Sequence, residues 1–109
     1  MTIVIVDPAG APILLERQDG AGPNTAAMAE GKAASAAYMG RDSGLIQTAA
    51  QNNPFLVALM SARVPNFTPM RGAVVLKHDG EVIGAVGASG ATSEEDEQIA
   101  QAGAAAMGS

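Results

Sequence analysis

The segment GAVVLKHDGEVIGAVGASG, residues 72–90, constrains the fold more than any other part of this chain. Two apolar runs flank Asp79-Gly80, a pair suited to a tight turn with positive φ, so the segment reads as a β-hairpin. In its first strand both alternating sets are apolar, Ala73 and Val75 on one side, Val74 and Leu76 on the other. Successive strand residues point to opposite faces, so this strand is buried on both, and something must cover each side of the sheet that contains it.

What can cover it follows from composition. Hydrophobic residues make up 48% of the chain but aromatic ones only 3%, so the core is built from Ala, Val, Ile, Leu and Met, and helices can lie close on the sheet. A chain of 109 residues is expected to form one domain, residues 1–109, with a real core.

Ahead of the hairpin, TIVIV reads as a strand that stops at Asp7-Pro8-Ala9-Gly10, a turn sequence. APILLERQ resumes as a second strand with Ile13, Leu15 and Arg17 on one side. From about Thr25 to Met39 the pattern becomes helical, with Asn24 or Thr25 as N-cap and Gly40 closing the C-terminus. Met28, Ala29, Ala33, Ala36 and Ala37 form its contact face, and Lys32 borders that face. Asp42 or Ser43 is expected to cap a second helix ending near Gln51, and Pro54 to open a third. After the hairpin, Thr92 and Glu95 make a capping-box pair, Glu94, Glu95 and Asp96 suit the positive end of a helix dipole, and this last helix runs to about Ala106. The order β-β-α-α-α-β-β-α has too few crossovers for a doubly wound nucleotide fold. The fold class is α+β, with a central antiparallel sheet of four to five strands and helices packed on it.

Charge and composition exclude several functions. The net charge is −5 and the six Lys and Arg are scattered, which removes the basic footprint of nucleic-acid binding. The chain has no Cys, so it offers no thiolate nucleophile and no cysteine metal site. No run approaches the roughly 20 apolar residues of a membrane-spanning helix, and the opening MTIVIVD lacks a basic leader. A soluble, cytoplasmic protein is expected.

The residues that can carry chemistry are few. Arg17 and Asp19 flank a Gly/Pro turn; a guanidinium fork binds carboxylates bidentately and Asp19 can set its geometry, so the pair can orient an anionic group. Equally, Asp19-Gly20 can be plain turn chemistry, with Arg17 pairing locally. Lys32 can add a second cation to the same pocket, or snorkel to water as helix-edge lysines do. His78, the only histidine, directly precedes the hairpin turn and is expected to be exposed and not to bind a ligand. Glu94, Glu95 and Asp96 read as a helix start, since three adjacent side chains do not supply the converging oxygens of a metal site. Tyr38 and Lys32 are not in the Tyr-x-x-x-Lys order of short-chain dehydrogenases, and no catalytic set is identified.

VIVDPAGAPILLERQDGA, then AEGKAASAA, then DGEVIGAVGASGATSEEDEQIAQAG, in this order and at these separations, resemble the GlcG/HbpS-type domain family. These are haem-binding or haem-degrading domains, found also at the C-terminus of PduO-type corrinoid adenosyltransferases. The most specific parts are the Arg17-x-Asp19-Gly20-Ala21 turn, Lys32-Ala33, and the stretch from Gly87 to Asp96. The resemblance implies a sheet with helices on both faces, assembly into dimers or larger rings, and haem as a candidate cofactor. Members usually begin with a helix before the first strand, whereas this chain starts in that strand. Part of one sheet face is therefore expected to need cover from a neighbouring subunit, and any haem ligand on that helix is not in this chain. The expected function is binding of haem or another small planar or acidic metabolite by Arg17, Asp19 and Lys32 in a homo-oligomer. An enzyme using the same three residues and a purely structural module remain open beside it.

Overall fold

The computed structural model describes residues 1–107. Its elements are β1 (Thr2–Val6), β2 (Pro12–Arg17), α1 (Pro23–Met39), α2 (Ser43–Asn52), α3 (Pro54–Ser61), β3 (Ala73–His78), β4 (Glu81–Ser89) and α4 (Ser93–Ala106), in the order expected. The strands form one four-stranded sheet ordered β2-β1-β4-β3, with every neighbouring pair antiparallel. The β3–β4 hairpin closes through Asp79 at φ 50° and Gly80 at φ 80°, the two positive values that a turn matched to strand twist requires.

Both faces of β3 and β4 are covered, as the apolar pattern of β3 demanded. On one face α1 lays Ala29, Ala33, Ala36 and Ala37 against Val4, Val6, Ala73 and Ala85. On the other α4 lays Ala100 and Ala104 against Val74, Leu76, Val86 and Ala88. The helix-to-sheet approach is so close that a methyl group on Gly87 would strike the Ala29 carbonyl and the Ala33 side chain; small residues on both surfaces set this spacing. On the α4 face the cover stops short, and Ile3 and Ile5 stay half-buried while Val4 and Val6 on the opposite face are fully buried.

Local capping departs from expectation at two helices. α1 begins at Pro23, with Gly22 as N-cap and no side-chain cap; the Thr25 hydroxyl donates to the Gly22 carbonyl (2.6 Å) and lies 2.8 Å from the Thr2 hydroxyl. Asp42 occupies the N-cap of α2 but does not cap it. Its Oδ1 accepts the Val75 N–H (3.0 Å), and Ser43 Oγ accepts the Ala73 N–H (2.8 Å). Both side chains thus satisfy the outer edge of β3, where unpaired strand amides cost more than helix-end amides open to water. α4 carries the expected capping box between Thr92 and Glu95.

The opposite edge has no such closure. All six residues of β2 are exposed, including Ile13, Leu14 and Leu15, with Ile13 at 68%. Val6 pairs with Pro12 and Ile5 with Leu14, so Ile13 is the extra residue of a β-bulge, a common feature of edge strands.

Candidate ligand-binding site

Lys32 is 1% exposed, which corrects the solvated helix-edge position expected from its spacing. Its Nζ lies 3.1 Å from Asp96 Oδ2 and donates to the Ala88 carbonyl at 3.1 Å. The other Asp96 oxygen accepts the Ala91 N–H at 3.0 Å. Lys32 belongs to α1 and Asp96 to α4, so the pair ties together the helices on opposite faces of the sheet. Gly72, at φ 138°, provides the opening: a Cβ there would lie 2.8 Å from the Lys32 ammonium and 3.0 Å from the Ala88 carbonyl. A buried charge requires a partner and full hydrogen bonding. The partner lies 64 residues away in sequence, beyond the reach of a local reading.

Arg17 pairs with Thr2, and Leu15 with Val4; Arg17 and Leu15 therefore project from the α1 face of the edge strand. Asp19 follows in an exposed turn, with Gly20 at φ 83°. The turn does bring strand end and helix start together, because the Gln18 N–H donates to the Met1 carbonyl (3.0 Å) and Thr25 meets Thr2. Among the described residues, neither the Arg17 nor the Asp19 side chain makes a hydrogen bond or ion pair. Lys32 is brought into contact with Asp96 and Ala88, not with these two. The clefts of about 470, 410 and 250 Å³ include none of the three residues in their walls.

His78 is exposed, with 76% of its side chain open and Nε2 3.4 Å from Asp79 Oδ2. The first-turn acids of α4 divide by role: Glu95 closes the capping box, Asp96 binds Lys32, and Glu94 is exposed. Hydrogen bonds from the Thr92 hydroxyl and backbone N–H hold the Glu95 carboxyl below the usual carboxylate range. Among the described residues no group of His, Cys, Asp and Glu could hold a metal ion, and no helix is long and apolar enough to cross a membrane.

Haem needs apolar surface, a cation for its carboxylates, and an iron ligand. The bare strand β2 with Arg17 at its end suits the first two. Protein ligands to haem iron are chiefly His, Cys, Met and Tyr side chains, and none lies on β2 itself; Met1 adjoins its end, where the Gln18 N–H donates to the Met1 carbonyl, and Tyr38 shares a cleft with Gly10 and Ala11 just before it, while His78 ends β3. The strand itself suits the ring and its acid groups but supplies no iron ligand of its own.

The family model for the haem-degrading protein HbpS-like matches residues 1–105. Among solved structures, Klebsiella pneumoniae ORFY is 26% identical over 99% of this chain and 74% of its own, with a TM-score of 0.87. A double mutant of Streptomyces reticuli HbpS is 28% identical, covering 99% of this chain and 71% of its own, again with a TM-score of 0.87. A PduOC–haem complex is 30% identical over 96% of this chain and 76% of its own, with a TM-score of 0.85. No curated protein matches. With a family match over nearly its whole length and the same two-faced sheet, the chain belongs to the HbpS-like haem-degrading family.

Proposed function

We propose that this chain is a small-molecule-binding domain of HbpS type that acts as a homo-oligomer, with haem or another planar, acidic metabolite held at the β2 edge. The observation that carries this reading is an edge strand exposed along its full length, with Ile13, Leu14 and Leu15 bare and Arg17 without a partner among the described residues. A planar apolar molecule with carboxylates matches the face that carries Leu15 and Arg17, and a second copy would cover what the ligand leaves bare, Leu14 on the opposite face included. Arg17 engages the acid group, Asp19 orients the guanidinium, and Lys32 acts as a positioning residue that holds α1 in place through Asp96.

Titration with haemin and with iron-free protoporphyrin, followed by absorbance, tests the reading. Both should bind comparably, because the contacts are to ring and acid groups. Arg17→Ala should weaken both at least tenfold, whereas His78→Ala should leave the haem band unchanged. Loss of the band in His78→Ala, or full binding in Arg17→Ala, would overturn the assignment.

A further inference from the structure

A separate cleft of about 470 Å³ lies along the outer edge of β3, between the α1–α2 turn and the end of α4. That volume is in the range of small-molecule sites. Leu45, Val74, Val75, Ala104 and Ala105 contribute apolar wall, and Arg41 and Lys77 contribute two cations.

The charges in this cleft are unusual for this chain. Of its six Lys and Arg residues, Lys32 pairs with Asp96, Arg71 pairs with Glu97, and Arg63 donates to the Leu59 carbonyl. Among the described residues Arg17, Arg41 and Lys77 have no such partner, and two of these three share one cleft. The acid in its wall, Asp42, is oriented by the Val75 N–H on Oδ1 at 3.0 Å, so the cleft carries two cations to one anion. Two unpaired cations beside an apolar wall, in a protein of net charge −5, select a ligand with an anionic head and an apolar body. A bare phosphate would leave the apolar wall unused, and a neutral apolar molecule would leave both cations unused.

We propose that this cleft is a second ligand site, for a small amphiphilic carboxylate whose head lies between Arg41 and Lys77 and whose body covers Val74 and Leu45. The site is independent of the β2 edge. Arg41 comes from the α1–α2 connection and Lys77 from near the end of β3, so a carboxylate bridges groups that the fold brings to one cleft but does not pair.

The probe is octanoate, titrated into the full chain and followed by amide and methyl NMR, with octanol and inorganic phosphate as partial mimics. Octanoate should shift Leu45, Val74 and Lys77 saturably, and each mimic should bind at least tenfold more weakly. Arg41→Gln/Lys77→Gln should lose at least tenfold in octanoate affinity with an unchanged circular dichroism spectrum and unchanged haemin titration. Shifts confined to β2 or α3, equal binding of octanol, or an undiminished octanoate affinity in the double variant would each overturn the site. Because haemin binding is measured in the same variant, failure here is distinguishable from failure of the β2 reading.

Discussion

At its β3 edge the sheet is closed by the chain's own side chains, whereas at its β2 edge a whole strand faces outward. On the β3 side Ser43 and Asp42 take up the Ala73 and Val75 amides, and Lys32 joins α1 to Asp96 at the first turn of α4. On the β2 side Pro12 to Arg17 are all exposed. The difference separates two uses of polar residues. Where amides are buried, side chains are spent on satisfying them, because a buried unpaired group costs about 1–3 kcal/mol. Where the strand is open, its residues face solvent and Arg17 has no side-chain partner among the described residues.

If the closed side is held by its buried polar groups, the largest effect belongs to Asp96→Ala. Removing one partner of a buried ion pair destabilises by about 3–5 kcal/mol, since the other charge is left unpaired. The joint change Lys32→Met/Asp96→Leu should recover most of that loss, as replacing both charges with apolar groups often does. Urea unfolding of both variants measures it; a loss under about 1 kcal/mol for Asp96→Ala would show that the two sides differ less than the contacts imply.

Ser43→Val comes next. It leaves the buried Ala73 N–H without its acceptor, and about 1–3 kcal/mol of stability should be lost. Amide exchange should then accelerate at Ala73 before it does in β1. Equal acceleration across the sheet would mean that Ser43 supports the whole fold and not this edge.

How much of this was legible depended on sequence distance. The Asp79-Gly80 turn, the Thr92/Glu95 capping box and the two-faced β3 were readable because each is specified within a few residues. Asp42 and Ser43 were recognisable as helix-start residues, but the local rule could not show that strand amides 33 and 30 residues away would claim them. Lys32 was hidden for the same reason: its neighbours in sequence are small residues of α1, while its counter-ion and the gap at Gly72 that admits it come from elsewhere. Arg17 and Asp19 were placed correctly on the strand end and turn because alternation and turn chemistry are local.

On the open side the expected effect is on assembly, not on folding. Leu14→Lys alters an exposed residue, and such substitutions usually change stability by about 0.5 kcal/mol or less. If β2 is the surface that a second copy covers, sedimentation at micromolar concentration should shift from oligomer to monomer, while the melting temperature measured at a dilution where both variants are dissociated stays put. An unchanged sedimentation coefficient would overturn the proposal that copies of this chain meet at β2.

The smallest effect concerns the turn of α4 beside the buried pair, where a solvent-facing acid can be compared with a buried one. Glu95 titrates below the usual carboxylate range because the Thr92 hydroxyl and backbone N–H bond to it. With the folded value depressed, the stabilisation is present above the ordinary carboxylate range and is lost as pH falls through the folded value. Thr92→Val removes the hydroxyl donor, 2.8 Å from Glu95 Oε1, and keeps the backbone donor at 3.3 Å. The Glu95 titration followed by carboxyl NMR should therefore move upward toward the ordinary range without reaching it, and the stability gap between variant and parent should narrow on acidification. Because Glu95 is exposed, added salt should shrink the electrostatic part of that gap further. An unmoved titration would mean that the hydroxyl does not set the charge state of this carboxylate.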